Sequence, residues 1–243
     1  YTFQDSFSKG WNMVSLPIGV GDSTVTGIFP DPGSQLYTYV DGSGYEQRNS
    51  LSRGIGYWLK FPENAAITVN GLPGVRDTIR VAKGWNMIGS ISESISTASV
   101  TSQPPGLLVS RFWTYRGGYV TVDSVHPFHG YWVKANQSGK LILDTGSVSQ
   151  SAKSSPGEIF QGWDRLTFQD QEENAQTLYV GNELMNGSSQ NEFEMPPALT
   201  GTFDVRFATG RLVETVRNGS DAEIPIHISS TTYPVFIRWN FRN

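Results

Sequence analysis

Lys9-Gly10-Trp11-Asn12-Met13-Val14 returns as Lys83-Gly84-Trp85-Asn86-Met87-Ile88, and Gly56-Tyr57-Trp58-Leu59-Lys60 returns as Gly130-Tyr131-Trp132-Val133-Lys134. Both pairs are separated by 74 positions. Two motifs held at one spacing mark a tandem duplication, so the chain must fold as two copies of one unit. Between the motifs, Leu36-Tyr37-Thr38-Tyr39 answers Phe112-Trp113-Thr114-Tyr115 at a shift of 76, and Gly44-Tyr45 answers Gly118-Tyr119. The small change of shift is a compensated loop difference. The copies cover roughly 8–72 and 82–144, within domains bounded at 1–75 and 76–147.

Each copy reads as strands. Charged residues make up 16% of the chain and aromatics 12%, and the 26 Gly are joined by abundant Ser and Thr. Few helix formers and many aromatic, β-branched and turn residues predict an all-β fold. The first strand runs from Trp11 to about Leu16, and its counterpart from Trp85 to about Ile91. Hairpin tips fall at Asp41-Gly42-Ser43-Gly44 and Arg116-Gly117-Gly118, followed by the Gly-Tyr-Trp strands and closing strands at 67–69 and 141–143. Alternation puts Asn12, Val14 and Leu16 on one face and Trp11, Met13 and Ser15 on the other. It also sets Trp58 and Trp132 opposite Tyr57 and Tyr131. Those Trp rings have two readings. They cover a seam between sheets or domains, with Lys60 and Lys134 reaching water. Alternatively Trp58 and Trp132, with Tyr45 and Tyr119 at the hairpin tips, form platforms that stack on sugar rings.

A Ser-rich linker at 148–157, ending in Pro156-Gly157, separates the repeats from a third segment at 158–243. Strands are predicted there at 165–169, 177–180, 203–208, 212–216, 223–229 and 234–241. That spacing suggests an immunoglobulin-like β-sandwich. In the last strand Tyr233, Val235, Ile237, Trp239 and Phe241 share a face. It reads as an internal strand of the sandwich, or else as one that pairs with a neighbouring subunit.

The chemistry-bearing residues do not assemble into a motif. The chain has no Cys and a net charge of -4. Disulfides and thiolate metal sites are therefore impossible, and no basic patch is large enough for nucleic acid. No apolar run approaches a membrane span. The chain opens Tyr1-Thr2-Phe3-Gln4-Asp5 without a leader, as a mature exported chain would. His126 and His129 flank Pro127-Phe128 and read as loop packing, and His227 as a structural strand residue. Asp22, Asp31 and Asp41 lack a calcium-loop pattern. Neither a nucleophile elbow nor a phosphate-cradling glycine motif occurs. No catalytic residue, metal ligand or cofactor is predicted.

Gly-Trp-Asn-Met-Val-Ser-Leu-Pro at 10–17 and Gly-Tyr-Trp-Leu-Lys at 56–60 resemble repeats near the C-terminal end of large secreted Bacteroidota and Ignavibacteria-type proteins. The third segment is similar to the domain C-terminal to those repeats, through Leu178-Tyr179-Val180-Gly181, Met195-Pro196-Pro197, Gly201-Thr202-Phe203-Asp204-Val205-Arg206-Phe207, Ile224-Pro225-Ile226 and Tyr233-Pro234-Val235. The resemblance implies a bacterial surface or extracellular location and export by the type IX secretion system. The sorting domain usual in that family is not among these residues, which implies cleavage or a fragment. It supplies no catalytic residue. Bacteroidota also glycosylate a short Asp-Ser/Thr-apolar motif, which makes Thr78, Ser124 and Ser23 candidate O-glycosylation sites. The Asn136, Asn186 and Asn218 acceptor-like triplets read as turns.

The expected role is a non-catalytic structural or adhesive module. Its partners would be other copies of itself or neighbouring domains of a parent surface protein. The alternative is a carbohydrate-binding module with polysaccharide as partner.

Overall fold

A computed structural model describes residues 1–147, 159–182, 189–216 and 221–241. The linker 148–157 and the triplets at Asn186 and Asn218 lie outside the described residues. The fold is nearly all β.

The first copy contains β1 (Thr2–Phe7), β2 (Gly10–Ser15), β3 (Ile18–Gly19), β4 (Leu36–Val40), β5 (Gly44–Arg48), β6 (Gly56–Phe61), β7 (Ala65–Asn70) and β8 (Leu72–Pro73), with one turn of helix, α1 (Val25–Ile28). The second contains β9 (Arg76–Val81), β10 (Gly84–Ile88), β11 (Ile95–Ser96), β12 (Thr101–Gln103), β13 (Phe112–Tyr115), β14 (Tyr119–Val122), β15 (Ser124–Val125), β16 (Tyr131–Ala135) and β17 (Gly139–Asp144). The sheet order β2-β6-β4-β5 is matched by β10-β16-β13-β14. β1 pairs with β7, and β9 with β17, both antiparallel. The repeat therefore starts earlier than the expected 8 and 82. β1 and β9 are related by the same shift of 74 but share no residues, so identity could not show them.

The repeated residues hold the strands in place. Gly10 and Gly84 take φ of +94° and +97°, a region where a Cβ is costly. The Asn two positions on locks each turn: Asn12 Nδ2 donates to the Ser8 and Gly10 carbonyls, and Asn86 Nδ2 to those of Ala82 and Gly84. The Tyr57 hydroxyl accepts the Ser52 N–H at 2.9 Å, and that of Tyr131 accepts the His126 N–H at 2.7 Å. Burial raises the Tyr57 pKa above its ordinary value, which keeps that hydroxyl protonated. Ser34 and Ser110 accept the Lys60 and Lys134 N–H groups, and Thr38 and Thr114 donate to the Gly56 and Gly130 carbonyls.

Each copy has its own apolar core. Val14, Leu16, Tyr57, Leu59 and Ile67 belong to the first, and Ile88, Tyr131, Val133, Leu141 and Leu143 to the second. The alternation predicted these core faces. The two copies nonetheless form one compact unit, comprising Tyr1–Tyr115 and the chain from Val122 to the end of the second repeat. Their opposite sheet faces are apolar too and meet.

The second compact unit takes in Arg116–Thr121 and the described residues beyond 158. Its strands are β18 (Asp164–Gln169), β19 (Ala175–Gly181), β20 (Asp204–Phe207), β21 (Val213–Thr215), β22 (Ile226–Ser229) and β23 (Phe236–Asn240). They form a sheet β21-β19-β18-β23 and a two-stranded sheet β20-β22. β19 and β21 run parallel, the rest antiparallel. Phe160 stacks on Tyr179 at 4.2 Å, and Phe168, Leu178, Phe193, Val205 and Phe207 are buried. Asp170 is buried and ties the β18–β19 turn: it accepts the Glu172 and Asn174 N–H groups, the Asn174 amide and the Thr232 hydroxyl. The final strand corrects the expectation of an internal strand. β23 is the edge of its sheet and every residue in it is exposed.

Candidate functional site

The Trp faces of the two copies meet in a reciprocal seam. Trp58 of the first copy packs edge-on against Tyr115 of the second, with ring centres 5.0 Å apart. Trp132 of the second packs against Tyr39 of the first at 5.1 Å, and Tyr45 lies 6.3 Å from the same indole. Tyr39 and Tyr115 are equivalent in the repeat, as are Trp58 and Trp132, so the seam has approximate two-fold symmetry. Trp11 and Trp85 close the sides, at 6.3 Å and 6.1 Å from Trp58 and Trp132. Lys60 is exposed, and the Lys134 ammonium lies 5.8 Å from the Trp85 ring centre.

Backbone joins repeat the symmetry. The Ser15 N–H donates to the Phe128 carbonyl at 2.7 Å, and the Gly89 N–H to the Gly54 carbonyl at 3.0 Å. Val14 bridges to His129, and Ile88 to Ile55. A Cβ on Gly56 would lie 2.6 Å from the Ile88 carbonyl oxygen, and one on Gly130 would lie 2.8 Å from that of Val14. The glycine of Gly-Tyr-Trp is thus the residue that lets the copies touch. Phe128 occupies the place of Gly54 and shares its left-handed backbone, with φ of +62°. That strain is offset by burying its ring in the core of the other copy.

Trp58 and Trp132 have no exposed surface, and Tyr119 has 1%. A ring needs an open face to stack on a sugar, so these three are not platforms in this fold. The seam reading of the Trp pair is the one their burial supports. In the second unit, the Tyr119 N–H donates to Gln176 Oε1 at 2.8 Å and its hydroxyl to the Pro197 carbonyl at 2.8 Å. Tyr45 is half-buried, with its ring 5.5 Å from Tyr39. A cleft of about 430 Å³ opens beside the seam, lined by Tyr39, Asp41, Arg48, Arg53, Asp77 and Trp85 among others. Arg53 and Asp77 pair at 3.9 Å on its wall. Comparison with family models, curated proteins and solved structures finds no match.

The modification candidates differ in access. Thr78 is exposed on β9, an edge strand. Ser124 and Ser23 are half-buried, and the Ser124 hydroxyl donates to Asp123 at 3.1 Å. Asp22 is turned into the start of α1, where the Thr24 N–H and hydroxyl pull its pKa below the ordinary value. Among the described residues, His, Asp and Glu do not gather in threes as a metal group would. His126 contacts the Ser94 hydroxyl, and His129 contacts Asp5 on β1. His227 is exposed on β22.

Asp5 and His129 form a join between copies, with Nε2 and Oδ2 3.3 Å apart. Burial pushes the Asp5 pKa up, but the His129 hydrogen bond, the Ser6 N–H and the charges of His129 and His126 outweigh it, leaving the pKa lowered. A lowered carboxylate pKa stabilises the fold above the unfolded value, and that contribution is lost as pH falls through the folded one. Asp5→Asn is therefore expected to reduce stability at neutral pH and to flatten its decline as pH falls below about 4. Denaturant midpoints across that range check it; parallel curves for variant and parent would contradict it.

The accessible aromatics lie elsewhere. Tyr233, Phe236, Trp239 and Phe241 are 54–65% exposed. The sequence showed the alternation of Tyr233, Trp239 and Phe241; exposure depends on what pairs with the strand.

Proposed function

We propose that the chain is a non-catalytic structural or adhesive module of an exported bacterial surface protein, holding neighbouring domains or copies at fixed spacing. The observation that carries this reading is where the repeated residues go. The Gly, Trp, Asn and Tyr of the two motifs, and the Ser and Thr repeated between them, are all engaged in turns, loop anchors or the seam. A binding or catalytic repeat would reserve some of them for a ligand. Type IX export and an extracellular location belong to the same reading, and rest on the resemblance at residues 10–17 and 56–60.

The test pairs a glycan array with a panel of ester, glycoside and peptide substrates, using the whole purified chain. Blank results on both are expected. Saturable glycan binding lost in Tyr45→Ala would overturn the reading in favour of a carbohydrate-binding module. Turnover that co-purifies with the chain would overturn it in favour of an enzyme.

A further inference from the structure

The core layer of the second unit runs out at β23. Register places Ile237 beside Phe168 and Trp239 beside Leu166 across the β18–β23 pair, and Leu166 faces Leu178 on β19. Phe168 and Leu178 are buried, whereas Ile237 is 45% and Trp239 64% exposed on the same face. The strand is held rather than frayed, because the Thr232 hydroxyl just before it is bonded to buried Asp170. Edge strands normally carry charges that block further pairing. β5 has Glu46 and Arg48, and β9 has Arg76, Asp77 and Arg80. β23 has only Arg238, flanked by Ile237 and Trp239.

We propose that two copies of this chain join through β23, antiparallel, in a register centred on Trp239. The sequence selects this partner and this register. Centring on Arg238 would oppose two guanidinium groups, and like charges directly opposite are unfavourable. Centring on Ile237 would set Asn240 against Pro234, which has no N–H to give. Centring on Trp239 sets Trp239 against itself, Ile237 against Phe241 and Arg238 against Asn240. The apolar row of each copy then meets that of the other, and the two four-stranded sheets become one eight-stranded sheet about a two-fold axis. The dimer extends the structural reading but stands apart from it, since enzymatic turnover would defeat that reading without altering the mass.

Sedimentation of the whole chain over a concentration series tests the proposal. A dimer of 26.8 kDa subunits is expected. Trp239→Lys is expected to weaken it about 30-fold. Both side chains are exposed, so Ile237→Lys and Trp239→Lys should fold, as circular dichroism will show. The chain lacks Cys, which makes the register testable directly. Ile237→Cys and Phe241→Cys variants should each stay uncrosslinked alone on oxidation and crosslink when mixed. A monomer throughout the series overturns the proposal, including one that binds oligosaccharide or a foreign strand through Trp239. A dimer that survives both Lys variants, or crosslinks in another register, overturns it as well.

Discussion

Trp132→Ala is expected to lower the stability of the repeat unit by about 3–5 kcal/mol, and Trp58→Ala by a similar amount. Each indole is fully buried and is packed by rings from both copies, so truncation opens a cavity that neither core can fill by itself. Small-domain stabilities are about 5–15 kcal/mol, so either variant removes a large share. Equilibrium denaturation followed by Trp fluorescence and circular dichroism measures the loss. Because the seam joins the copies, the repeats of the parent should unfold in one transition. A loss below about 1 kcal/mol would mean that the seam is dispensable. Two separate parent transitions would mean that the copies are energetically independent.

The second large effect concerns two residues without side chains. Gly56→Ala and Gly130→Ala each drive a methyl group against a backbone carbonyl of the opposite copy, at 2.6 Å and 2.8 Å. A carbonyl inside a paired strand cannot swing away as a side-chain tip can. Overpacking of this kind costs about 1–3 kcal/mol at each place. The sites share the same interface, so the double variant should depart from the sum of the single ones. Gly21→Ala, at an exposed position with open space around its Cβ and no left-handed backbone, is the control for backbone effects alone. If Gly56→Ala and Gly130→Ala match that control, close approach is not why Gly precedes Tyr-Trp.

Much of this fold is readable in the residues alone. The duplication, both core faces and all six strands of the third segment emerge from identity, alternation and turn residues. These are local signals, and local signals survive in a sequence. The seam was visible only as a choice between two roles for Trp58 and Trp132. Alternation says that a ring leaves its own core, but not whether another sheet covers it. Tyr119 was misplaced for the same reason, since a Tyr beside Gly118 in a hairpin looks exposed until Gln176 and Pro197 are brought to it. β1 and β9 escaped because Thr-Phe-Gln-Asp-Ser-Phe and Arg-Asp-Thr-Ile-Arg-Val preserve only geometry. The alternation of Ile237 and Trp239 suits an inner strand and an edge strand equally, because strand order is set by long-range pairing.

The two-fold relation inside one chain gives each contact of the seam a twin elsewhere in the sequence. In an assembly of identical subunits, a substitution would land on both twins at once. Here it lands on one. The twins have indeed parted. Asp5 and His129 form a polar contact where the related positions hold Ile79 and Ile55. Arg53 and Asp77 pair where the other side has Pro127 and Phe3, the latter ringed by Phe128 at 6.3 Å. One end of the axis holds the Asp5–His129 contact and the other the Arg53–Asp77 pair. Covalent linkage has thus given a two-fold body a front and a back.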